Sequence, residues 1–282
     1  MRASVRRSRL ISLAAALVLT GAVADAGPPA QVVSINLCTD QLALLLAAPG
    51  QLVSVSKLAH DPSSSAMATV AQVYPANDSR AEEVYLLAPD LVLAGTFTDP
   101  ATLQMLRDLG VAVEVFAPAL SLAEIPERLA QMGRALGREA EAQAQIDAFE
   151  AELTRLDDAG PGRPRAALYY VNSYTSGHRT LAGDILRAAG FDNVADEAGL
   201  ADGGTLALEQ LVMLAPEVIV RGRDYPGQSR AEDNLRHPAL GALQGSTVTA
   251  ALTDRSWICG APHVLDAVRE MRDLRLSLEA GK

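Results

Sequence analysis

One stretch of this chain occurs twice. Residues 82–95 read EEVYLLAPDLVLAG and residues 209–222 read EQLVMLAPEVIVRG, at a constant offset of 127 positions without a gap. Glu, Leu, Ala, Pro and Gly coincide, and nearly all other positions keep their chemical class. In each copy the proline stops a short helix, because the residue before a proline is pushed out of helical backbone. The apolar run that follows then reads as a buried strand. A Leu-Ala-Pro-Asp turn alone explains one copy. A second copy at the same place in a second unit implies two similar α/β lobes.

The rest of the chain agrees. Strand-like runs at 31–36, 52–56, 90–94 and 111–116 alternate with helical segments at 39–48, 82–87 and 102–109, the rhythm of parallel sheets flanked by helices. From Ser121 the pattern turns helical. Ser121-Leu122-Ala123-Glu124 has capping-box spacing, and Pro126 must sit in a first turn. Arg138–Asp158 contains no breaker and carries Ile146, Phe149 and Leu153 at helical spacing, which predicts a linking helix about 30 Å long. Gly160-Pro161-Gly162-Arg163-Pro164 ends it, and a second strand–helix alternation starts at 165–171. The expected organisation is a first lobe over 27–137, a linking helix over 138–159 and a second lobe over 160–282.

The N-terminus sets the compartment. Arg2, Arg6, Arg7 and Arg9 precede an apolar run from Leu10 to Val23, and Ala24-Asp25-Ala26 has the small-x-small pattern of a cleavage site. The run is shorter than the ~20 residues of a membrane span. No cysteine lies near the cleavage site, so a free periplasmic protein is expected rather than a lipid-anchored one. Loss of residues 1–26 removes four Arg and Asp25 and takes the formal charge from −10 to about −13. A surface of that sign disfavours nucleic acid and anionic lipid. In an oxidising compartment Cys38 and Cys259 suggest a disulfide. Two buried thiols, or a thiol facing a ligand, are the alternatives.

These features together resemble the periplasmic binding proteins for ferric siderophores and cobalamin. The likeness runs from Val32 to the last helix. It is carried by Val32-Val33-Ser34-Ile35-Asn36 leading into Thr39-Asp40-Gln41-Leu42, by the two repeat segments, by the long helix between them and by His237-Pro238-Ala239-Leu240. The resemblance implies two Rossmann-like lobes with parallel sheets, joined by one helix, with a ligand cleft between lobes that move little. It implies a monomer that delivers a small-molecule metal chelate to the permease and ATPase of an ABC importer. It also implies one docking carboxylate per lobe, Glu82 and Glu209. Capping or helix-dipole roles for the same two residues compete with that reading. Members bind siderophores, haem, cobalamin or oxyanions. Here Ala201-Asp202-Gly203-Gly204 stands where cobalamin binders carry a tryptophan, which weakens a cobalamin assignment; a ferric siderophore is the leading expectation, with cobalamin or haem as the others. The protein needs no cofactor of its own, since iron or cobalt arrives within the ligand.

Ligands of open α/β sheets gather beyond the carboxyl ends of the strands. Loops in those positions hold His60, Arg80, Phe97, Asn172, Tyr174, Arg223, Tyr225 and Trp257. In a chain with only 4% aromatic residues, this placement favours a large, partly planar or anionic ligand. Arg80 and Trp257 are the leading candidates, the first to pair with charge and the second to stack. The competing possibility is direct zinc or manganese binding by His60, His178 and His263, which would need three or four ligands converging on one point. No nucleophile elbow, phosphate loop, dinucleotide fingerprint or C-x-x-C pair is present, so an enzyme is not expected.

Overall fold

The computed structural model describes residues 27–157, 162–222, 234–243, 248–251 and 254–280. The expected leader, residues 1–26, and the site candidates Arg223 and Tyr225 lie outside them. The first half runs through β1 (Val32–Ser34), α1 (Leu37–Leu46), β2 (Leu52–Ser56), α2 (Ala68–Ala71), β3 (Ala76–Asn77), α3 (Ala81–Leu86), β4 (Leu91–Gly95), α4 (Pro100–Asp108) and β5 (Ala112–Phe116). The strands form a parallel sheet in the order β3-β2-β1-β4-β5.

Two helices follow, α5 (Ile125–Leu136) and α6 (Glu139–Leu156). The second half comprises β6 (Arg165–Tyr169), β7 (Tyr174–Thr175), α7 (Leu181–Ala188), β8 (Asp192–Asn193), α8 (Val194–Glu197), β9 (Gly204–Thr205), α9 (Leu208–Leu214), β10 (Val218–Arg221), α10 (Pro238–Leu243), β11 (Val248–Ala251), α11 (Asp254–Trp257) and α12 (Val264–Ala280). Its parallel sheet has the order β11-β10-β6-β8, and β7 and β9 add a small antiparallel ribbon.

Alternation along the strands explains the layering. Val32, Leu91 and Leu93 of the first sheet, with Ala166, Leu168, Val218 and Val220 of the second, enter one continuous apolar core together with α5, α6 and α12. The opposite faces bury Val33, Val92 and Ala94 beneath α3 and α4. In the second half Ala167, Tyr169 and Ile219 lie beneath α8, α9 and α10. Burial on both faces is what parallel sheets require, and their strands accordingly read as unbroken apolar runs.

The linker is more than a bare helix. At 18 residues, α6 is about 27 Å long, and α5 packs along it through Ile125, Leu129, Met132 and Leu136. Gly133 is the contact point, since a Cβ there would lie 2.6 Å from that of Ala142. In the repeat segments, Ala88 and Ala215 both take left-handed backbone (φ 47° and 44°) immediately before their prolines. The two copies thus share backbone conformation as well as sequence.

The candidate ligand cleft

In the first sheet the chain reverses its direction of travel across the sheet at β1 and β4, and ligands collect at such switch points. A small recess opens there. Asn36, Cys38 and Thr39 line it after β1, Gly95, Thr96 and Phe97 after β4, and Phe116 to Ala119 after β5. Ile258 and Gly260 close it from the other lobe, and Arg128 of α5 reaches its edge.

Local chemistry builds this floor. The Asn36 side chain caps α1 by accepting from the backbone N–H of Cys38 (3.0 Å) and Thr39 (3.4 Å). Gly95 makes room for it, since a Cβ there would lie 2.9 Å from Asn36 Nδ2. Beneath, Asn77 donates to the Ser34 carbonyl and to Ser54 Oγ. Ser79 donates to the Ile35 carbonyl. These bonds fix the loop that carries Arg80. Buried Asp40 accepts from the backbone N–H and hydroxyl of Ser56. Burial outweighs these bonds and raises its pKa to about 6.

Phe97 is 87% exposed at the rim, a position an aromatic ring takes only at a cost in exposed apolar surface. In the second lobe Tyr174 is 46% exposed and stacks on Tyr170, with ring centroids 6.3 Å apart. Both tyrosines follow β6, the strand at the second sheet's own switch point. Asn172 sits between them, exposed and in left-handed backbone (φ 56°). Arg80 is exposed at the start of α3 and has no ion pair among the described residues.

Trp257 corrects the expectation from sequence. It is 6% exposed and packed in the main core, so its ring is not offered to the cleft. Its neighbour Ile258, half exposed, takes that place. The turn is held by the disulfide between Cys38 and Cys259, whose Cα atoms are 5.1 Å apart across the lobes. Of the paired-cysteine and free-thiol alternatives, the pair is the one found. Gly260 lets the lobes meet, as a Cβ there would lie 2.3 Å from that of Ala119.

The histidines do not converge. His178 pairs with Asp196 at 2.8 Å. His263 is partly buried, and its desolvation lowers its pKa below the usual imidazole value. His60 follows β2 with a buried Nε2 that has no hydrogen-bond partner among the described residues. Among those residues no group of three His, Cys, Asp or Glu could hold a metal ion. Sequence reading missed Asn36, Phe116, Arg128 and Ile258. The carboxyl-end rule for strands applies to Asn36 and Phe116 and could have found them, but nothing in the sequence marks Arg128 or Ile258.

Two lobes, each with its own parallel sheet, and a recess lined by the first lobe and closed by Ile258 and Gly260 of the second, define a two-lobed architecture. The model of the periplasmic binding protein family matches residues 32–244, and the chain belongs to that family. Its members are binding proteins for transport and not enzymes. A cobalamin-binding protein of Halobacterium salinarum is 30% identical over 69% of this chain and 54% of its own length. The chain thus spans about half of that relative. A vitamin B12-binding protein of Pectobacterium carotovorum is 25% identical over 90% of this chain and 91% of its own. A periplasmic heme-binding protein from Roseiflexus shares the fold, with TM-score 0.72, 22% identity and coverage of 86% and 98% of the two chains.

Proposed function

We propose that this chain is the exported substrate-binding component of an ABC importer and that it carries a metal chelate with a large planar body, of the corrin or haem class. The observation that carries the reading is the pair of outward aromatics, Phe97 and Tyr174, each beyond the carboxyl end of a switch-point strand in its own lobe. Exposed rings in a chain with so few aromatics suit the face of a flat ligand. Arg80 then meets an anionic side group of the chelate. The names of the sequence relatives, both cobalamin or vitamin B12 binders, support a corrin. The Ala201-Asp202-Gly203-Gly204 segment keeps a ferric siderophore as the second reading. On this reading residues 1–26 are the cleaved leader, the lobes are 27–137 and 160–282, and the mature protein works as a periplasmic monomer.

Glu82 and Glu209 are the proposed docking carboxylates. Both are exposed in the first turn of matched helices, α3 and α9. Glu82 makes no cap bond at the start of α3, and it is its neighbour Glu83 that accepts from the Asp78 backbone N–H at 2.8 Å. Neither docking carboxylate has a hydrogen bond or ion pair among the described residues.

The test is to identify, by mass spectrometry and absorption, the chelate that co-purifies from periplasm. Titration of Phe97→Ala and Tyr174→Ala with hemin and cyanocobalamin follows. Each variant is expected to lose about 5- to 10-fold in affinity for the chelate that binds, as for a lost aromatic contact. Wild-type affinity in both variants would place the ligand elsewhere.

A further inference from the structure

The repeat carries more than its glutamates. In α3, Ala81 and Val84 are buried, and in α9, Leu211, the counterpart of Val84, is buried. The two helices therefore expose the same face. On that face Leu86 is 82% exposed and Met213 is 84% exposed, and the two positions differ by the same offset of 127. Single exposed apolar side chains are ordinary. Two of the most exposed among the described residues, at repeat-related positions, are not accounted for by packing. Each lies four residues after a glutamate, Glu82 before Leu86 and Glu209 before Met213. Residues so spaced are neighbours on one helix face, about 6 Å apart.

We infer that Leu86 and Met213 are apolar anchors for a partner that presents one surface twice, each copy combining a cationic side chain with an adjoining apolar recess. The partner is the two-fold-symmetric membrane permease, so the inference rests on the docking reading of Glu82 and Glu209 and deepens it. Symmetry argues against a second copy of this chain as occupant. A chain with two equivalent sticky patches that pair with each other would propagate into open-ended assemblies rather than close. A homodimeric partner meets both patches at once. The carboxylates steer and orient, while the apolar contacts supply the slow dissociation that charge at a rim does not.

The test uses the full mature protein and the permease–ATPase complex in nanodiscs, with affinity measured at low and high salt. Leu86→Ser with Met213→Ser is expected to weaken binding by about tenfold or more at both salt levels, since burial of such side chains is not screened. Glu82→Gln with Glu209→Gln is expected to weaken it mainly at low salt. Thermal unfolding of all variants should match wild type, because the altered side chains are exposed. If the apolar double variant binds as wild type while the carboxylate variant is weakened, the anchor role is wrong and docking stands. If both bind as wild type, the docking reading falls and the anchors with it. Sedimentation showing self-association of the wild type that Leu86→Ser abolishes would assign the patches to a second copy and overturn the proposal.

Discussion

Asp40 shows how one residue can govern the pH response of the cleft wall. It is buried on α1, and its carboxylate is held by Ser56 of β2. Burial raises its pKa from 3.8 to about 6, so the folded state binds the proton more tightly than the unfolded chain. The contribution of this group is therefore fully present below about pH 4 and is lost as pH rises through about 6. The loss amounts to roughly 3 kcal/mol, at about 1.4 kcal/mol per pKa unit. In Asp40→Asn the amide can still accept from the Ser56 N–H and donate to its hydroxyl. Denaturant unfolding between pH 4 and 7 should show falling stability in the wild type and a flatter profile in the variant. Equal slopes would mean that Asp40 ionises freely.

At the scale of elements, the start of α7 offers the sharpest expectation. Thr180 caps this helix by accepting from the Gly183 N–H at 3.1 Å. Alanine would ordinarily improve a helical glycine by about 1 kcal/mol. Here a Cβ on Gly183 would lie 2.0 Å from the Gly177 carbonyl oxygen, and backbone cannot step aside cheaply. Gly183→Ala should therefore destabilise by about 1–3 kcal/mol, the usual range for overpacking. A rise in melting temperature would refute the close approach.

Elements with a strong period are legible in the amino-acid sequence. The repeat announces two lobes, and Ile146 and Phe149 mark the inner face of α6. The two-residue strands β3, β7, β8 and β9 are not legible, because such short segments carry no alternation to detect. The cleft is legible as a set of loops but not residue by residue. Trp257 and Ile258 are adjacent, and which of them faces the cleft depends on a turn held by a cross-link between residues 221 positions apart. Local spacing holds no information on that. Likewise the capping role open to Glu82 is not taken up, since α3 has no side-chain cap bond and it is Glu83 that bonds back to the Asp78 N–H.

At the scale of the molecule, the lobes are tied to each other and to α6 at several points. Cys38–Cys259 crosses between them. The Leu122 N–H donates to Asp184 at 2.8 Å, and Arg269 of α12 pairs with Glu152 of α6 at 3.0 Å. The disulfide closes a very long loop, so its loss should be costly through the unfolded chain. Cys38→Ser with Cys259→Ser is expected to lower stability by about 3–5 kcal/mol. Because Cys38 and Gly260 both line the recess, ligand affinity should fall as well. Unchanged unfolding in the presence and absence of a reductant would show that the cross-link carries no stability.

The central claim is that an intact chelate, and not a bare ion, occupies the recess between the lobes. Calorimetric titration of the mature protein with hemin, cyanocobalamin, a ferric siderophore and zinc, each alone, tests it directly. One-to-one binding of a chelate with a dissociation constant of about 1 µM or tighter is expected, with no tight site for zinc. Micromolar zinc binding without binding of any chelate would contradict it.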